Sequence, residues 1–107
     1  MITDLNYLRT MSGGDENFIR EMVSIFKEQV LEYAEQMPIL LETADYENLS
    51  KLAHKAKSSV AVMGMEQEAD SLKELELLAK EGKDTDSYQA YIDKFIANCK
   101  IAIEELS

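Results

Sequence analysis

Apolar residues recur at intervals of three and four along nearly the whole chain, a period that fits packed α-helices and little else. Leu5 and Leu8 begin the pattern. Phe18, Met22, Ile25, Phe26, Val30, Tyr33 and Met37 form a second stripe, and Leu49, Leu52, Ala53, Ala56, Val60 and Met63 a third. Ala69, Leu72, Leu75 and Ala79 make a fourth; Tyr88, Tyr91, Ile92, Phe95, Ile96, Cys99, Ile103 and Leu106 make a fifth. Four Gly, one Pro and few β-branched runs leave long helices with short loops as the natural reading.

The breaks divide the stripes. Ser12-Gly13-Gly14 ends a short helix from about Asp4 to Met11, and Asp15 can cap the next. Pro38 lacks an amide donor and crowds the preceding turn, so the second helix is expected to kink or break there and resume at Leu40, Leu41 and Ala44. Asp45 caps a third helix over Tyr46 to Met63, with Gly64 as its C′ residue. A fourth runs from Glu66 to Lys80 and ends at Gly82, and Asp84, Thr85 and Asp86 are candidate caps for a fifth. The expected fold is all-α: an antiparallel up-and-down four-helix bundle with a short additional N-terminal helix. No linker interrupts the 107 residues, so residues 1–107 read as a single domain, large enough to bury a core without metal or disulfide.

The net charge of −10 argues against nucleic acid and against anionic membrane surfaces as partners. The N-terminal residues show no basic region followed by an apolar one, so no signal peptide is expected. The longest apolar stretch, Val60 to Met65, is too short to span a bilayer. Cys99 has no partner for an internal disulfide and falls in an apolar stripe, where core packing is its expected role. These features favour a cytoplasmic protein. The start at Met1 and the full set of helices favour a free-standing one.

His54 is the only histidine. On an ideal helix the third stripe occupies an arc of roughly 100°, and His54 lies roughly 150° from its centre, projecting into solvent. Ser50, Lys51, Lys57, Ser58 and Ala61 share its helix surface at one or two turns' distance, and Val62 is apolar and outward. From Asn48 to Met65 there is no Asp or Glu, although 21 of the 107 residues are acidic; the same window holds Lys51, Lys55 and Lys57. An acidic chain therefore keeps its one histidine in a locally positive surface. That setting suits reversible phosphorylation. An imidazole with an ordinary pKa of about 6.5 is largely neutral near pH 7 and offers a nitrogen to phosphorus. Nearby ammonium groups stabilise the anionic product, with Lys57 the best placed, and small neighbours admit an in-line donor.

The run His54-Lys55-Ala56-Lys57-Ser58-Ser59, with Ala53 before it and Gly64 ten residues on, resembles the signature of the histidine phosphotransfer (HPt) family. Leu8, Gly13-Gly14-Asp15 and Phe18 resemble its N-terminal segment, and Leu72 with Leu75-Glu76 its next helix. The resemblance implies a helical bundle that carries a phosphoryl group on His54 between receiver-domain aspartates, with Lys57 as the charge partner. Ser58 departs from the glycine many members have there, and slightly altered docking is expected. Ser50, Lys51, Lys55, Ser58, Ala61, Val62 and Gly64 are the expected docking residues. The implied partners are response-regulator receiver domains and a hybrid sensor histidine kinase, met by a monomeric carrier. No cofactor or metal is expected in this chain; magnesium belongs to the receiver.

Other chemistry fits poorly. A di-iron bundle needs Glu-x-x-His pairs, and Lys51 stands three residues before His54. Asp84-Thr85-Asp86 opens like a calcium loop, but Gln89 and Phe95 fall where its glycine and final glutamate belong. No phosphate-binding loop is present, so ATP-dependent kinase activity is not expected. Two competing readings remain: an acidic helical adaptor whose His54 is never phosphorylated, and a nucleic-acid mimic. The acid-free window opposes the mimic, and the retained His54 and Lys57 oppose the adaptor.

Overall fold

A computed structural model describes residues 2–107; Met1, on which the free-standing reading rests, lies outside the described residues. All regular structure among them is helical. Helix α1 covers Asn6–Ser12, α2 Glu16–Glu42, α3 Tyr46–Val62, α4 Glu66–Glu81 and α5 Tyr88–Leu106, and a single 3-10 turn, Thr85–Ser87, precedes α5. Helix α2 packs on α3 and α5, and α4 packs on the same two, so the four long helices close a ring. The bundle measures 42 × 21 × 20 Å, and α2, rising about 1.5 Å per residue, runs most of its length.

Local sequence sets the ends of these helices. The Asp15 carboxylate accepts from the amides of Asn17 (3.0 Å) and Phe18 (3.2 Å), and Asp45 accepts from Asn48 (3.3 Å). At the end of α3, Gly64 takes φ +75°, which lets the Met65 and Gly64 amides reach the carbonyls of Val60 and Ala61, each at 3.0 Å. Gly82 closes α4 the same way. Ala44 does so for α2 at φ +57°, a conformation that costs an L residue about 1–2 kcal/mol. Gly64 has a second constraint. The backbone of Asp4 lies directly on it, with the Asp4 amide donating to the Met63 carbonyl at 2.9 Å. The amides of Ile2 and Thr3 donate to the Glu105 carboxylate, and these bonds hold its carboxyl below the ordinary value. The N-terminal segment is thus strapped across one end of the bundle.

The third stripe is buried throughout, as its spacing predicts. Four other expectations need correction. Helix α2 is not broken at Pro38. A proline inside a helix costs about 3 kcal/mol. Met37 is fully buried and Leu40 and Leu41 pack on the core, and each such side chain returns up to about 1.5–3 kcal/mol, so both flanking turns are anchored. Phe18 and Ile25 are exposed, because the buried line of α2 is Ile19, Phe26, Val30, Tyr33 and Met37, and both fall roughly 100° to one side of it. Asp84, Thr85 and Asp86 do not cap α5. Asp84 is left-handed (φ +52°) and its carbonyl accepts both the amide and the hydroxyl of Ser87, which builds the 3-10 turn. Helix α1 begins two residues later than expected, after Asp4 has been drawn onto Gly64.

Tyr88 locks the turn between α4 and α5. It is fully buried, its hydroxyl lies 2.7 Å from the Leu78 carbonyl and 2.6 Å from that of Lys83, and the Tyr46 ring meets it edge-on at 5.3 Å. Cys99 is fully buried, and burial together with the charge of Glu68 pushes its thiol up to about 12.

The two glycine caps give a controlled test. A methyl at Gly82 meets nothing, whereas one at Gly64 collides with Asp4. We expect Gly82→Ala to cost about 1 kcal/mol and Gly64→Ala about 2 kcal/mol or more, each kcal/mol lowering Tm by about 4–8 °C. Thermal unfolding followed by circular dichroism measures both, and equal losses would remove the Asp4 contact from the account.

Candidate functional site

The outward face of α3 and one side chain of α4 build the site. His54 projects from mid-helix with its side chain 61% exposed. Its Nδ1 lies 3.0 Å from Glu76 Oε2, and Lys57 Nζ lies 3.3 Å from Glu76 Oε1. One carboxylate on α4 therefore bridges the histidine and the lysine that stand three residues apart on α3. Its reach depends on how close α4 comes: Ser50 donates its hydroxyl to the Glu76 backbone carbonyl at 2.8 Å and ties the two helices together there.

The electrostatics fix the ring. Partial burial opposes ionisation of Glu76, but hydrogen bonds and charge from Lys57 and His54 outweigh it and hold the carboxyl below its ordinary value of 4.5. An ionised carboxylate can only accept, so Nδ1 must carry the proton it shares with Glu76. In the neutral ring Nε2 then keeps its lone pair, on the edge facing away from Glu76. An exposed, oriented nitrogen nucleophile is what this arrangement supplies.

The remaining sequence-derived residues divide. Lys51, Lys55, Ser58 and Ala61 are exposed on the His54 face. Lys51 pairs with Glu47 at 3.6 Å. Ser50 is not on the open surface: it is 7% exposed beneath α4, held by its bond to Glu76. Gly64 is covered by Asp4, and half-buried Val62 packs against the core, so neither presents a free face. Glu76 is the participant that residue spacing misses. Nothing within α3 signals it, because it enters from another helix through a register that only packing defines.

The model of the Hpt domain family matches residues 21–106, and the chain belongs to that family. Membership places it in two-component phosphorelay signalling, where Hpt domains are phosphotransfer carriers and not kinases. The match begins inside α2, so the resemblance carried by Leu8, Gly13, Gly14, Asp15 and Phe18 lies outside it. No curated protein and no solved structure matches the chain significantly. Among the described residues no helix is long and apolar enough to cross a membrane.

Two measurements follow. At about pH 8.5, where free imidazole is neutral, nitrogen NMR should find His54 as the Nδ1–H tautomer, and Glu76→Ala should shift it towards Nε2–H. An unchanged tautomer would separate Glu76 from the ring. The second uses linkage. Glu76 binds a proton less readily folded than unfolded, so its contribution is complete above about pH 4.5 and disappears as pH falls through its lowered folded value. The Tm advantage of the parent over Glu76→Gln, expected to reflect about 1 kcal/mol or less, should therefore be present at neutral pH and shrink below pH 4.5.

Proposed function

We propose that this protein accepts a phosphoryl group on His54 from a receiver-domain aspartate and passes it to another receiver domain. The observation that carries the reading is the exposed ring tied at Nδ1 to an ionised Glu76, which leaves Nε2 without a hydrogen-bond partner among the described residues. The Nε2 lone pair forms the bond to phosphorus as the bond to the aspartyl oxygen breaks, and the carboxylate leaves with the electron pair. Nδ1 keeps its proton, the ring gains a positive charge, and the Glu76 carboxylate offsets it. Lys57 keeps Glu76 ionised and so helps to hold the ring in this orientation. Transfer back to a second aspartate retraces these steps. The chain supplies orientation and charge, which is most of what phosphoryl transfer asks of a protein.

Lys51, Lys55, Ser58 and Ala61 form the open part of the docking face in this reading. The closed ring of contacts and the short connections support an antiparallel up-and-down four-helix arrangement of residues 1–107 as one transfer domain. A hybrid kinase upstream, cytoplasmic receiver domains and a monomeric carrier complete the proposal. Incubation with a phosphorylated receiver domain tests it. Label should appear on His54, be lost in acid and survive base, and be absent from His54→Gln, whose fold should be intact because the side chain is exposed. Failure of every cognate receiver to label His54 would overturn the carrier reading and leave the adaptor.

A further inference from the structure

His54 stands on a ridge between two grooves. The one between α3 and α4, about 1020 Å3, is bordered by His54, Lys55 and Lys80 and by the carboxylates of Glu47, Glu76 and Glu81. The one between α2 and α3, about 470 Å3, is bordered by Gln29, Glu32, Gln36, His54, Lys55 and Ser58. Glu76 holds Nδ1 on the α4 side, and the two nitrogens of imidazole direct their bonds to opposite edges of the ring. A group joined to Nε2 is therefore carried away from Glu76, and away from the Lys57 ammonium bound to it.

Lys55 borders both grooves, whereas Glu47, Glu76 and Glu81 line only the α4 side. Lys51 is paired with Glu47 and Lys57 with Glu76, while Lys55 has no carboxylate within 4.0 Å among the described residues. On the α2 side two more donors make no hydrogen bond among the described residues: the Ser58 hydroxyl and the Gln29 amide nitrogen, whose own oxygen accepts from Ser59 at 2.8 Å. Three uncommitted donors thus border the groove on the side away from Glu76, and a phosphoryl group brings three acceptor oxygens.

We infer that the phosphoryl group on His54 is received over the α2/α3 groove by Lys55, Ser58 and Gln29, while Lys57 acts at one remove as a positioning residue for Glu76. This rests on the carrier reading above. Glu32, on the far wall and held by Gln36 at 3.3 Å, sets a like charge against the phosphoryl group. The cradle is accordingly weak, as suits a group that must be passed on.

The test needs no partner protein. The full chain is phosphorylated with potassium phosphoramidate, and the second protonation of the phosphoryl group is followed by phosphorus NMR. Lys55→Met should raise its proton affinity about two- to fivefold, the range of exposed charge interactions, and Ser58→Ala should raise it by a smaller factor. Lys57→Met should change it less than twofold while moving the His54 Nδ1–H resonance. A larger effect from Lys57→Met than from Lys55→Met, or none from Lys55→Met, would overturn this assignment and return the phosphoryl group to Lys57. Absence of phosphohistidine in the parent under the same treatment would instead strike the carrier reading itself, and this inference with it.

Discussion

A side-chain hydroxyl can bond to the backbone of a neighbouring helix only where the two helices run almost in contact. Ser50 does this with the Glu76 carbonyl. The approach is possible because α3 turns Ser50, Ala53 and Ala56 inward, and α4 answers with Ser71 and Ala79 among its buried residues. Larger residues there would widen the gap towards the upper end of the usual 8–10 Å between helix axes. A glutamate has one fixed length. Move its backbone outward and it reaches neither His54 nor Lys57. Core volume several residues away therefore sets the proton position on the imidazole.

The same economy appears in the charge distribution. A half-buried carboxylate would ordinarily resist ionisation, and here two donors reverse that preference. The cluster is stable because it is partly sheltered, and reactive because the shelter stops at one edge of the ring. The strap at the bundle end serves order of a different kind. By holding Asp4 on Gly64 it fixes the turn between α3 and α4, and with it the register that brings Glu76 opposite His54.

Much of this is legible in the sequence. The inward stripe of α3 and the outward place of His54 follow from helical angle alone, and the caps at Asp15, Asp45, Gly64 and Gly82 from local chemistry. What escaped depended on neighbours. Ser50 looks like an open surface residue until α4 covers it. Phe18 and Ile25 look like core until the buried line of α2 is drawn through Ile19. Pro38 signals a break that anchored flanking turns override. Glu76 is invisible to any argument confined to one helix. Helical angle alone locates the exposed imidazole, and only the packing of two helices says which of its nitrogens is available.

Cys99 has a bearing on this chemistry although it takes no part in it. Acyl phosphates are electrophiles, and a thiolate competes readily with imidazole for such a group. In this bundle the sulfur is enclosed and its thiol is pushed up to about 12, so almost no thiolate exists at any pH a cell tolerates. Chemoselectivity is thus settled by burial and protonation, before any partner arrives. Between imidazole nitrogen and thiol sulfur, the fold leaves only the imidazole at the surface.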